Sequence, residues 1–272
     1  MADESWYVTG PQIIEVEDVR SVRVALVAGR VDVVGRDEPG ARIEVHRVDG
    51  RPLEVTLDGG ELRVGYAFTL GGWEGWLDRV RNIQAKDGAD VHIAVHRDVA
   101  ARLGTVTAEG LLADVVQGAT VATVSGSIVT DRMYGSLAAS SVSGDLVLRD
   151  HTGDLRANAV SGAVTASGAF GHAGVTTVSG AVALDASAVG GIAVQTVSGD
   201  VTARVPAGLG LDVQARTVSG RVVVDGEERR GDGPVRGVVD MVTGGGGCRL
   251  RVKTVSGHLT VLRAAPVTPE VA

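Results

Sequence analysis

Aromatic residues are scarce in this chain: three Trp, three Tyr and two Phe among 272 residues, 3% of the whole. Ordinary cores lean on large rings for buried area, so small aliphatic residues must do the packing here. The same scarcity disfavours a carbohydrate face, which needs rings for sugars to stack on. Positive charge is also short, with 26 Lys and Arg against 33 Asp and Glu, a net charge of -7 and no basic run. Duplex nucleic acid and anionic membranes are bound by releasing counterions to Lys and Arg, and neither is expected as a partner. The single cysteine, Cys248, rules out an internal disulfide, and with no Cys/His constellation around it an inert thiol is expected. No run of about 18 apolar residues is present to cross a bilayer as a helix. The opening MADESW is acidic and no apolar signal core follows it, so no export signal is read and a cytoplasmic location is expected.

What the chain has in plenty is glycine, 39 residues of it, and much of it is periodic. Val-Ser-Gly occurs seven times, with its glycine at Gly126, Gly144, Gly162, Gly180, Gly199, Gly220 and Gly257. Successive spacings are 18, 18, 18, 19, 21 and 37 residues, and a degenerate copy, Ala-Glu-Gly, ends at Gly110. Several copies divide into halves of nine residues, as in SGDLVLRDH followed by TGDLRANAV. A fixed short period is the mark of a repeat architecture and governs the fold reading.

Within each unit apolar and polar residues alternate with a period of two, the pattern of a strand with one buried face. Val178, Gly180, Val182 and Leu184 are expected to point inward, as are Val142, Gly144, Leu146 and Leu148, and Val197, Gly199 and Val201. The preceding half places Ile192, Val194 and Thr196, or Leu211, Val213, Ala215 and Thr217, on the same side. Two consecutive inward residues, Thr then Val, require a corner or bulge. The repeated tripeptide therefore marks a bend, where glycine permits close backbone approach or an unusual dihedral. Thr123, Thr177, Thr196, Thr217 and Thr254, with Ser141 and Ala159 in the same place, are expected to form an internal column of small side chains. The expected fold is all-β: a β-solenoid, a single-stranded β-helix with coils of about 18 residues.

Residues 1–104 carry the same grammar more loosely, with LVAGRVDV at 26–33 placing Val27, Gly29, Val31 and Val33 inward, and read as an irregular N-terminal β region. Within it GGWEGWLDRVRNIQ places Trp73, Trp76, Leu77, Val80 and Ile83 at helical spacing, which predicts one short amphipathic helix near 73–84. Regular repeats are expected over 105–263, with residues 225–247 as a long loop or an irregular extra coil, and 264–272 as a flexible tail.

The set VRVALVAGRVDV, DVHIAVHRDVAARLGTVTAEG and the serial TVSG copies ending in RLRVKTVSGHLTVL resembles the bacterial β-strand-repeat proteins of a putative adhesin family, a domain of unknown function. The resemblance covers residues 20–263. It implies a β-helix-like fold of right-handed sense and brings no catalytic residues with it.

Residues able to do chemistry do not converge. His92 and His96, four apart, would share a helix face but fall in an alternating strand, where four residues span about 13 Å. Asp145, Asp154 and Asp200 follow bend glycines, yet equivalent positions hold Ser127, Ala163, Ala181, Arg221 and His258. GGGG at 244–247 lacks a following Gly-Lys-Ser/Thr. No enzyme activity, metal or cofactor is expected. The reading is a non-enzymatic scaffold or protein-interaction protein, adhesin-like, binding a protein partner or a second copy through its ends or flank. Trp73, Trp76, Leu77 and Val80 are the candidate contacts, since Trp is enriched at interaction hot spots. The alternative is a carbohydrate-binding or carbohydrate-active β-helix protein.

Overall fold

Alternation of β-branched and small polar residues dictates strands throughout, and the computed structural model, which describes residues 4–66, 87–229, 238–244 and 247–264, contains 23 of them and no helix among those residues. The chain divides into two compact units, Met1–Val147 and Leu148–Ala272. The predicted helix, with Trp73, Trp76, Leu77 and Val80, lies outside the described residues, as do residues 265–272 of the expected tail.

The first unit contains β1 (Glu4–Val8), β2 (Gln12–Val16), β3 (Ser21–Leu26), β4 (Ala28–Arg36), β5 (Ala41–Asp49), β6 (Leu53–Asp58), β7 (Glu61–Gly65), β8 (Gly88–His96), β9 (Ala100–Thr105), β10 (Glu109–Ala113), β11 (Ala119–Thr123), β12 (Ile128–Asp131) and β13 (Leu137–Ser141). The 18-residue period appears as parallel pairing: Ala101 lies against Ala119 and Ala119 against Leu137 in the β9–β11–β13 ladder, and Gly110 against Ile128 between β10 and β12. Nearer the N-terminus chain order is lost. β3 lies between β7 and β9, and β4 between β8 and β10, all in parallel. β6 and β5 then pair antiparallel with β7 and β8, and β1 and β2 close the two edges, again antiparallel.

β14 (Leu146–Ala159) spans the division, and the second unit continues with β15 (Val164–Thr177), β16 (Val182–Gln195), β17 (Val201–Val205), β18 (Leu211–Arg216), β19 (Val222–Val224), β20 (Glu227–Arg229), β21 (Val238–Thr243), β22 (Cys248–Lys253) and β23 (Leu259–Arg263). β15 and β16 run parallel with a register shift, Gly168 opposite Ala186 but Ala169 opposite Ala188. Ser187 is thus a one-residue bulge, and it accounts for the spacing of 19 between Gly180 and Gly199. The spacing of 37 has a different origin. The last repeat inserts between two earlier ones, β22 pairing in parallel with β16 and β18, and β23 with β17 and β19. Part of the segment expected as a long loop or an irregular extra coil forms β20 and β21, which cap β19 and β18 antiparallel.

The expected single-stranded solenoid is therefore incorrect. A solenoid stacks parallel rungs in chain order, whereas this chain builds a mixed sheet with, among the described residues, six antiparallel strand pairs at its N-terminal and C-terminal parts and one inserted rung in each unit. The physical reason is that every repeat carries the same edge chemistry and fits any slot between two others, so spacing alone does not report stacking order.

The core is what the composition demands. Val, Leu, Ile and Ala dominate the buried set, and the buried aromatics among the described residues are Tyr66 and Phe170. Tyr66, almost wholly enclosed, has its hydroxyl pKa pushed up to about 12, chiefly by burial. Nearby in sequence to β8, the buried Asp87 carboxylate accepts hydrogen bonds from the Arg51 backbone N–H at 3.0 Å and from its guanidinium at 2.6 and 3.0 Å. Burial pushes this carboxyl up, but the bonds from Arg51 outweigh it and hold it below the ordinary aspartate range.

Candidate interaction surface

Each residue of the Thr-Val-Ser-Gly corner has its own task. The threonine side chain is buried at Thr123, Thr177, Thr196, Thr217 and Thr254, as is Ser141 in the same column. In the second unit its Oγ1 accepts the N–H of the glycine three residues on: 3.1 Å at Gly180, 3.0 Å at Gly199, 2.8 Å at Gly220 and 2.9 Å at Gly257. In the first unit the Thr123 hydroxyl instead donates to the Gly126 carbonyl at 2.7 Å, and Ser141 does the same to Gly144. Either way a buried backbone group at the bend is satisfied from within the turn, which it must be away from water.

The glycine answers to close approach rather than to an unusual dihedral. None of the corner glycines lies in the positive-φ region. A Cβ on Gly126 would overlap the Ala108 carbonyl, and one on Gly144 the carbonyl of Gly126. In the second unit the same overlap would occur for Gly180 on Gly162, Gly199 on Gly180, Gly257 on Gly199 and Gly220 on Gly257. That last order repeats the inserted rung seen in the strand pairing.

The serine hydroxyl reaches across to the neighbouring rung and donates to a valine carbonyl, Ser179 to Val160 at 3.3 Å, Ser198 to Val178 at 3.4 Å, and Ser219 to Val255 at 3.4 Å. Those carbonyls also accept backbone N–H groups, as Val178 does from Val197 at 3.2 Å and Ser198 at 2.9 Å. The polar groups of the corner are thus turned to one another.

The valine is left pointing out. The expectation that Val142, Val178 and Val197 face inward is corrected here: they are exposed, because the corner is turned between the valine and the serine, which both point out, and the chain re-enters the core only at the glycine. In the second unit the row Val160, Val178, Val197, Val255 and Val218 is 44%, 48%, 48%, 48% and 75% exposed. At a rung spacing of about 4.8 Å it forms an apolar stripe roughly 19 Å long.

Other candidates do not assemble. His92 lies across from Asp32 and Glu44 on neighbouring strands, and His96 stands beside Asp98 with Nδ1 3.8 Å from its carboxylate. Asp154 accepts the His172 N–H at 2.9 Å, and Asp200 the His258 N–H at 2.8 Å. Among the described residues no group of three His, Cys, Asp or Glu is placed to hold a metal ion. Cys248 is a free, buried thiol whose pKa burial raises.

No protein-family model matches the chain, and no curated protein matches it. Among solved structures it is similar to a putative lipid binding protein from Parabacteroides distasonis ATCC 8503, with a TM-score of 0.53 and 11% identity over 94% of this chain and 97% of that one. This likeness is one of fold. Lower similarity extends to a putative adhesin from the same organism (TM-score 0.42, 12% identity, 97% of each chain) and to a putative cell adhesion protein from Clostridium sporogenes ATCC 15579 (TM-score 0.32, 10% identity, 97% of this chain and 100% of that one). The repeat family suggested by the TVSG motifs is matched by no family model.

Proposed function

We propose that this chain is a non-enzymatic interaction protein, adhesin-like in the broad sense, that docks a protein partner along its row of corner valines. The observation that carries the reading is the contiguous exposed stripe Val160, Val178, Val197, Val255 and Val218. Single exposed apolar residues are ordinary, but contiguous ones mark binding surfaces. The corner's own hydrogen bonds hold the row in place, so little side-chain or backbone freedom remains to be lost on docking.

The test is light scattering after size exclusion across a concentration series, together with affinity capture, for the wild type and for Val178→Ser combined with Val197→Ser. Expected are concentration-dependent association or a captured partner in the wild type, and loss of either in the variant with its β circular dichroism intact. Binding that survives the double substitution would refute the valine row as the docking surface. A cytoplasmic site of action belongs to the same proposal, consistent with the free thiol of Cys248, and cell fractionation tests it.

A further inference from the structure

Inserting β22 between β16 and β18 has an electrostatic result on the outer face of the second unit. Parallel register places Lys253 directly opposite Arg216, and Arg251 opposite Gln214. Like charges facing one another across a strand pair are destabilising. Two other cations on this unit's strands are paired with carboxylates: Arg249 with Asp212 at 3.3 Å and Arg204 with Asp185 at 3.3 Å. Arg251 lies against the Gln214 side-chain oxygen, Nη2 at 3.2 Å. For Arg216 and Lys253 the described residues supply no ion pair. Asp240 on β21 is in register with Gln214, two residues along the strand from the Arg216–Lys253 pair.

These groups are not spread over a flat surface. Gln214, Arg216, Arg251, Val252 and Lys253 line one open pocket. Three cations and an amide around one depression, in a protein of net charge -7, form a concentration of positive charge that chain-order stacking would not have produced. Without insertion, β18 would have met the Gly191–Gln195 stretch of β16, which carries no charge.

We infer that the Arg216/Arg251/Lys253 pocket binds a phosphate-type oxyanion, as free phosphate or as a terminal phosphate ester. Arginine guanidinium groups match such an oxyanion with paired N–H donors, and lysine adds a point charge. A dianion between Arg216 and Lys253 converts their repulsion into two attractions, so the ligand relieves a cost already present in the fold. The site is independent of the valine row, in residues and in chemistry.

The experiment uses the full-length chain and inorganic phosphate, titrated against chloride at constant ionic strength and followed by thermal melting and amide NMR shifts. The wild type should melt higher with phosphate, with saturable shifts on β18 and β22. Arg216→Gln with Lys253→Gln should weaken that response at least about tenfold, yet melt no lower than wild type without phosphate, because the substitutions remove a like-charge pair. Arg204→Gln, in the same unit, should leave the phosphate response intact. A second arm compares sedimentation with phosphatidylcholine vesicles with and without phosphatidic acid. Recruitment by phosphatidic acid that the double variant loses shows a lipid-borne phosphate, and phosphate binding without such recruitment shows a soluble one. A response equal to that of chloride, or unchanged in the double variant, together with no phosphatidic-acid recruitment, overturns the inference.

Discussion

Gly199→Ala measures how much the corner depends on contact between backbones. The new Cβ would overlap the Gly180 carbonyl oxygen, a backbone atom that can move only with its rung. Relief requires the corner to lift away from its neighbour, at the expense of the bonds from Val197 N–H (3.2 Å) and Ser198 N–H (2.9 Å) to the Val178 carbonyl. Two such bonds are worth about 1 kcal/mol each, and overpacking of a tight site adds about 1–3 kcal/mol. The total expected is roughly 3–5 kcal/mol. For a chain of this size that lowers the melting temperature by roughly 6–20 °C. The reference is Gly10→Ala, where an added Cβ meets nothing within 4 Å and φ is not positive; it should be neutral or raise stability by up to about 1 kcal/mol. Urea denaturation of both variants, with slopes compared, gives the values. If Gly199→Ala falls within about 0.5 kcal/mol of Gly10→Ala, the close-approach account of the repeated glycine is wrong.

Three further outcomes follow from individual groups. Thr196→Val removes the acceptor for the buried Gly199 N–H and should cost about 1–3 kcal/mol, whereas Thr105→Val, at a fully buried hydroxyl with no hydrogen-bond partner among the described residues, should be neutral or stabilising in the same melts. Asp87 has a folded-state pKa below its ordinary value, so its stabilisation is complete above the ordinary aspartate range near pH 4 and is lost as pH falls through the folded value. Arg51→Gln leaves that carboxylate buried without its ion pair, and its destabilisation should be largest at pH 7 and shrink below about pH 4, as paired melts would show; a deficit that grows with acid refutes the pairing. Val178→Thr and Val197→Thr, at exposed positions, should each change stability by less than about 0.5 kcal/mol, and a larger loss would mean that the row is part of the core.

Much of this architecture is legible in the residues. Alternation at Leu211, Val213 and Ala215 or Leu250 and Val252 identifies strands and their buried face, because a half-buried strand has period two and nothing else does. The threonine column and the glycine bends follow from repetition. The direction of the valine does not, since Thr-Val-Ser-Gly contains one parity change that fits before or after the valine, and an aliphatic residue suggests burial. Stacking order is hidden for a different reason: Gly220 and Gly257 close the same Thr-Val-Ser-Gly tetrapeptide, and nothing in that tetrapeptide says which of them stacks beside Gly199. The basic pocket is hidden with it, because Arg216 and Lys253 are brought together by that same order.

The inserted rung also bears on how the second unit is made. A chain emerging from its N-terminus completes β16 to β19 before β22 and β23 exist, and the earlier strands then face each other across the place that the last repeat will occupy. Direct pairing of β18 with β16 would satisfy the same backbone groups, and a unit paired that way would have to reopen before the C-terminal segment could enter. Long-range closure of this kind slows folding. The slot between β16 and β18 is matched equally by the same segment of a second copy, so domain exchange between chains would run through the last repeat.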